Sequence, residues 1–126
     1  MASNPSSHDR GRAGEDRAAA YLTAKGYKII DRNFRTRWGE VDIVCETGRN
    51  IVFVEVKSWR SVAYEGLERA IDRRKQRRIA GVARSYLRER SHTHREMSIR
   101  FDVVFVPPDR GAIRHIMGAF DSEWPE

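Results

Sequence analysis

Asp42, Glu55 and Lys57 are the residues of this chain whose types and spacing point most directly to chemistry. Two carboxylates brought face to face repel each other unless a cation or a proton is shared between them. Magnesium, or manganese in its place, is the natural cation: it is a hard ion that takes one or two protein carboxylates and completes its shell with water and substrate phosphate. The backbone carbonyl of Val56, in the middle of the Glu-x-Lys segment, offers a further oxygen. Lys57 would orient or deprotonate an attacking water, or neutralise charge developing on phosphorus. Such a set suits metal-assisted hydrolysis of a phosphodiester. The plainer alternative is an exposed polar sheet face with a cross-strand salt bridge, since Glu-x-Lys alone is a common pattern.

The elements that must position these residues are two strands. Val41 to Glu46 and Ile51 to Val56 are rich in β-branched residues, and Thr47-Gly48-Arg49-Asn50 between them has hairpin turn chemistry. If Glu46 stands opposite Ile51, counting back along the antiparallel pair sets Asp42 opposite Glu55 and Glu40 opposite Lys57. All four side chains then share one face, and Val41, Ile43, Val54 and Val56 take the other. The strand holding Phe53, Val54 and Val56 is the most hydrophobic in the chain and is predicted to be central, where a charged residue needs a reason to be present.

Around this hairpin the periodicity predicts a helix from Gly11 to Lys25, with Ala18, Tyr21 and Leu22 at helical spacing and Gly26 as its stop. Glu15 falls on the same face as Ala18 and Leu22, an unusual place for a carboxylate, although a charge near a helix N-terminus explains it equally well. A short strand is predicted over Tyr27 to Asp31 and a surface loop over Asn33 to Trp38. After the hairpin, Leu67, Ala70, Ile71, Ile79, Val82, Ala83, Tyr86 and Leu87 fall on one face of a long helix. Ser91 to Glu96 reads as a loop, Ile99 to Val106 as a strand stopped by Pro107-Pro108, and Ala112 to Met117 as an edge strand. The order is helix, three strands, helix, two strands: an α/β fold with a mixed central sheet flanked by helices.

Composition narrows the class of partner. The 126 residues fit one domain, expected over 11–120, between a disordered tail at 1–10 and a short tail at 121–126. Twenty-four Lys and Arg against 18 Asp and Glu give a formal charge of +6, which favours a polyanion. The single cysteine, Cys45, excludes an internal disulfide and a thiolate zinc cluster, and reads as a small buried residue. No apolar stretch marks a signal peptide or membrane anchor, so a cytoplasmic location, the nucleoid included, is expected.

The segment Arg73-Arg74-Lys75-Gln76-Arg77-Arg78 supplies phosphate contacts along one helix, unless it is simply a solvated face. With the interleaved Arg35, Arg37 and Trp38, the expected nucleic-acid contacts are Arg35, Arg37, Trp38, Arg60, Arg74, Lys75 and Arg78. Lys75, four residues from both Ile71 and Ile79, belongs to the inward edge of its helix. Asp102 beside Arg100 reads as a structural ion pair, and His92-x-His94 lacks a third metal ligand.

Taken in order, Gly14-Glu15, Asn33-Phe34-Arg35, Gly39-Glu40-Val41-Asp42, Val52-Phe53-Val54-Glu55-Val56-Lys57, Lys75, Arg100-Phe101-Asp102-Val103-Val104 and Ala119-Phe120 resemble the YraN-like family of small bacterial proteins. That family is similar to the archaeal Holliday-junction resolvases and to the restriction-endonuclease-like PD-(D/E)-x-K superfamily. The resemblance covers about residues 11 to 120 and implies an αβββαβ core, here with an extra C-terminal edge strand. It implies a metal-dependent endonuclease in which Asp42 and Glu55 bind the metal, Lys57 is the catalytic lysine and Glu15 completes the metal shell. Gly39-Glu40-Val41 stands where the superfamily's name places a proline before Asp42. The substrate implied is DNA, branched or damaged, in repair or recombination, with RNA left open; symmetric cutting of a junction would call for a homodimer. The competing function is a nucleic-acid-binding module that cuts nothing by itself and acts with a partner.

Overall fold

In the computed structural model, which describes residues 7–58, 72–90, 97–108 and 111–121, the elements are α1 (Ser7–Ala24), β1 (Lys28–Thr36), β2 (Gly39–Thr47), β3 (Asn50–Ser58), α2 (Arg73–Glu89), β4 (Ser98–Val106) and β5 (Arg114–Phe120). The αβββαβ order and the extra last strand are those expected. The five strands form one sheet in the order β1-β2-β3-β4-β5. Only β3 and β4 run parallel, and α2 lies in the connection between them. This is a mixed α/β sheet with β3 at its centre.

The hydrophobic pattern explains the layers. Ala18 and Leu22 of α1 are fully buried against Ile43, Cys45, Val52, Val54 and Val104 on one face of the sheet. Ile79, Val82, Ala83 and Tyr86 of α2 pack on the other face with Val44, Ile51, Phe53, Phe101 and Phe105. Tyr86 stands edge-on to both Phe34 and Phe53, at 4.9 and 5.7 Å between ring centroids. Strand alternation sends Val52 and Val54 to one helix and Ile51 and Phe53 to the other, so β3 is covered on both faces.

Local signals set the ends. Gly26 takes a positive φ of 94° after α1, and the Tyr27 amide donates to the Leu22 carbonyl at 3.0 Å, which caps the open carbonyl end. Asp72 caps α2 through its Oδ1, which accepts from the Lys75 amide at 2.9 Å. Helix α1 begins at Ser7, ahead of the periodic stretch that starts at Gly11. Leu67, Ala70 and Ile71, expected to open the second helix, lie outside the described residues, as do Arg60 and the loop Ser91 to Glu96.

Three expectations are corrected. Asn33, Phe34, Arg35 and Thr36 are not a surface loop but the second half of β1, paired with β2 as far as Thr36 opposite Gly39. Pairing with β2 satisfies their backbone, and Phe34 is drawn into the α2 layer. The expected hairpin register holds from Thr47 opposite Asn50 to Ile43 opposite Val54, but Thr47 and Asn50 are themselves paired, so the loop is only Gly48-Arg49. Val41 does not share a face with Ile43: it packs in the α2 layer with Val44, whereas Ile43 packs in the α1 layer. The alternation breaks at Asp42. Level with it on β1 stands Asn33, with a φ of 55°, the one non-glycine residue of positive φ among those described.

Candidate active site

That break is where the candidate site lies. The β2–β3 ladder ends at Ile43 opposite Val54, and beyond it the Asp42 side chain takes over the role of a backbone acceptor: the Val56 amide donates to Asp42 Oδ2 at 2.8 Å. A side chain standing in for a carbonyl carries β2 alongside β3 just where the strands cease to pair, and it fixes the carboxylate beside Glu55.

Glu55 is buried, and it is flanked by two ammonium groups. Lys57 Nζ lies 3.4 Å from Glu55 Oε1, and Lys75 Nζ, reaching across from the first turn of α2, lies 3.0 Å from the same oxygen. Lys75 thus points inward, as its spacing indicated. Glu40 does not face Lys57 in a pair: it stands opposite Arg35 on β1 and accepts from Arg35 Nε at 2.8 Å. With Asp42's alternation broken, the simple count that set Glu40 opposite Lys57 no longer applies.

Glu15 approaches from α1. Asn33, its amide nitrogen turned toward the two carboxylates, donates to Glu15 Oε1 at 2.6 Å and to Glu40 Oε1 at 2.9 Å. Asn33 is a site residue that sequence reasoning placed in a loop and gave no role; its presence in the Asn-Phe-Arg motif was the available signal. The structure therefore brings Asp42, Glu55, Lys57, Lys75 and Glu15 to one end of β3, and leaves Arg35 paired with Glu40 at its margin.

The electrostatics follow from burial among like charges. Burial, and next the nearby Glu55 carboxylate, push Asp42 up to about 7; the Val56 amide opposes this, and Glu15 and Glu40 add to it. Glu15 is also raised, by burial and then by Glu40, against the pull of Arg32 and Asn33. Lys57 is lowered, first by burial and then by the neighbouring Lys75. For Lys75 burial works downward, but contact with Lys57 and the attraction of Glu55 and Asp42 bring the group up.

Among the described residues no three His, Cys, Asp or Glu side chains form a ready-made metal cage. The donor set is instead two carboxylates, Asp42 and Glu55, with a backbone carbonyl beside them. A strand residue presents its N–H and C=O toward the same neighbour, so the Val56 carbonyl is turned to the Asp42 side with its amide. Two carboxylates and a carbonyl fit magnesium, which often takes few protein ligands, and burial followed by the nearby Glu55 raises Asp42.

Beside the site, Arg74 and Arg78 of α2 are exposed and make no ion pair among the described residues. Arg37 and Trp38 are exposed in the β1–β2 turn. Arg60 lies outside the described residues. Elsewhere, Arg100 and Asp102 form the expected ion pair, with Arg100 Nη2 2.9 Å from Asp102 Oδ2. Among the described residues no helix is long and apolar enough to cross a membrane.

Sheet order, helix layers and a carboxylate–lysine cluster at the end of the central strand define a mixed α/β protein of nuclease-like architecture. The chain belongs to the family described as Uncharacterised protein family UPF0102, whose model matches residues 14–106. It is similar to a UPF0102 protein of Persephonella marina, 41% identical over 115 residues that cover 91% of this chain and 96% of the relative. A UPF0102 protein of Geobacter sulfurreducens is 45% identical, with 88% of each chain covered. One of Rhodococcus opacus is 46% identical over 87% of this chain and 94% of its own length. The YraN-like resemblance read from the motifs is thereby borne out.

Proposed function

We propose that this protein hydrolyses phosphodiester bonds of DNA with a divalent metal, magnesium or manganese, at Asp42 and Glu55. The observation that carries the reading is the meeting of two carboxylates from adjacent strands with Lys57 and Lys75, where burial and Glu55 drive Asp42 up to about 7. Asp42, Glu55 and the Val56 carbonyl would hold the metal, with Glu15 reaching it from α1. When bound, the metal supplies Lewis-acid neutralisation of the scissile phosphate.

The chain's own groups do the rest. Lys57, 3.4 Å from Glu55 Oε1, would orient the attacking water and take its proton as the water oxygen bonds to phosphorus, the opposite P–O bond breaks and the leaving oxygen takes a proton from solvent. Lys75, held as a cation, faces the developing negative charge. The N-terminus of α2 and the exposed Arg74 and Arg78 give a phosphate backbone its contacts. Branched or damaged DNA is the expected substrate, and a junction cut symmetrically would need a dimer.

Incubation with linear, flapped and four-way DNA in magnesium or manganese tests this. Cleavage is expected, with Asp42→Asn abolishing it and Lys57→Ala lowering it by about 100-fold or more. Cleavage that survives both substitutions would belong to a contaminant and sink the proposal. One observation favours a binding-only reading: both lysines already engage Glu55 Oε1. That reading expects DNA binding indifferent to chelator and no cleavage by any variant.

A further inference from the structure

Trp38 is the one large aromatic side chain left half exposed among the described residues, at 50%. Its position is nevertheless fixed. The Trp38 amide donates to Thr36 Oγ1 at 3.0 Å, which sets the β1–β2 turn. Its indole packs over Gly81 of α2, where an added Cβ would stand 3.4 Å from Trp38 Cγ, in ordinary van der Waals contact. The Arg37 guanidinium is 5.0 Å from its ring centroid.

The platform and the candidate site are met by the same helix, along a row that winds about 120° round α2 from Lys75 to Gly81. Lys75 meets Glu55, Arg78 runs beside Gly39, and Gly81 carries Trp38, in steps of three residues. At about 1.5 Å per residue Gly81 lies roughly 9 Å beyond Lys75 along the helix axis, so a strand that leaves the platform can reach the site within a few nucleotides. The helix between them is strongly basic: its sequence, RRKQRRIAGVARSYLRE, holds a single acidic residue, Glu89.

We propose that Trp38 is a stacking platform for an unpaired base, so that the substrate of the Asp42–Glu55 site is DNA with a single-stranded segment rather than intact duplex. This rests on the nuclease reading above. In a duplex the base faces are already stacked on one another, and an aromatic ring on a protein turn gains nothing from them; an unpaired base offers its face to any ring in reach. An isolated apolar side chain on the surface would need no such account, but this one is set by a turn, packed on α2 at Gly81 and flanked by Arg37. The Arg37 guanidinium, 5.0 Å from the ring centroid, would offer its charge to the phosphate attached to that base.

The test is binding of labelled blunt duplex and of the same duplex carrying a single-stranded flap, in chelator so that no cleavage occurs, by fluorescence anisotropy. The full-length protein is expected to prefer the flapped DNA. Trp38→Ala should weaken flap binding by about tenfold and duplex binding by less than about twofold, while Trp38→Phe keeps most of the affinity. Trp38→Ala should also remove the quenching of tryptophan fluorescence on flap binding, although Trp59 and Trp124 remain. Equal losses on both DNAs, or no loss on either, overturns the platform while leaving the nuclease reading intact. If the unaltered protein binds neither DNA, the nucleic-acid reading fails, and the platform with it.

Discussion

The Val56 amide donates to Asp42 Oδ2 at 2.8 Å, so one carboxylate both closes a gap in the sheet and sits in the candidate site. The two duties separate by substitution. Asp42→Ala leaves the Val56 amide without its acceptor and should cost about 1–3 kcal/mol of stability. Asp42→Asn keeps an acceptor oxygen and loses the charge, so at pH 6 it should fold at least as firmly as the parent chain yet lose all metal-dependent behaviour. Denaturant unfolding of the two variants side by side measures the difference; equal destabilisation would mean that the hydrogen bond contributes nothing.

The same residue makes the metal-free protein sensitive to pH. In the folded chain Asp42 is pushed up to about 7 from an ordinary 3.8, by burial first and by Glu55 second. The folded state therefore binds this proton more tightly than the unfolded state does. The stabilisation is full below about pH 4 and is lost as the pH rises through about 7. Thermal melts in chelator should fall across that window, and Asp42→Asn should flatten the fall and exceed the parent at pH 8 by up to about 4 kcal/mol. A parent chain with no such decline would show that Asp42 ionises freely.

A divalent cation should reverse that loss. Binding to the folded state alone stabilises by about 2.7 kcal/mol when the free ion stands at a hundred times its Kd. Magnesium should raise the melting temperature more at pH 8 than at pH 6, because below about 7 a proton on Asp42 competes for the same oxygens. Chelator should undo the gain. Asp42→Asn and Glu55→Gln should show none of it, whereas a rise that persists in both would place the ion elsewhere.

Much of this was legible in the chain, and the parts that were not have definite causes. The hairpin register could be counted because Gly48-Arg49 makes a tight turn between two β-branched runs, and register propagates two residues at a time. Lys75 could be aimed inward from its spacing to Ile71 and Ile79, since helical faces repeat on that period. The count failed at Asp42, where Asn33 and Asp42 break the alternation and turn Val41 to the opposite face from Ile43. Nothing in a strand's sequence announces an asparagine of positive φ. The polar and charged run Asn33 to Arg37 hid a strand because its pairing is supplied by β2, a tertiary effect that overrides local composition.

A buried polar network remote from the site makes the last prediction. Asp102 is fully enclosed and accepts from Arg100 Nε and Nη2, both at 2.9 Å, and from the Gly118 amide at 3.0 Å. His115 Nε2 is 2.7 Å from Asp102 Oδ2, and the Tyr21 hydroxyl stands 3.2 Å from His115 Nδ1. Burial would raise the Asp102 carboxyl, but the bonds from His115, Arg100 and Gly118 outweigh it and hold the group below the usual range. Its contribution is therefore present above the ordinary carboxylate pKa and is lost as the pH falls through the depressed value in the folded chain. Asp102→Ala strands the Arg100 charge and the Gly118 amide and should cost about 3–5 kcal/mol, read from urea unfolding near neutral pH. Since the network ties α1, β4 and β5 together and contains none of the site residues, the variant that remains folded in the cold should keep its magnesium response. Loss of that response at unchanged secondary structure would mean that the network positions the site as well as the fold.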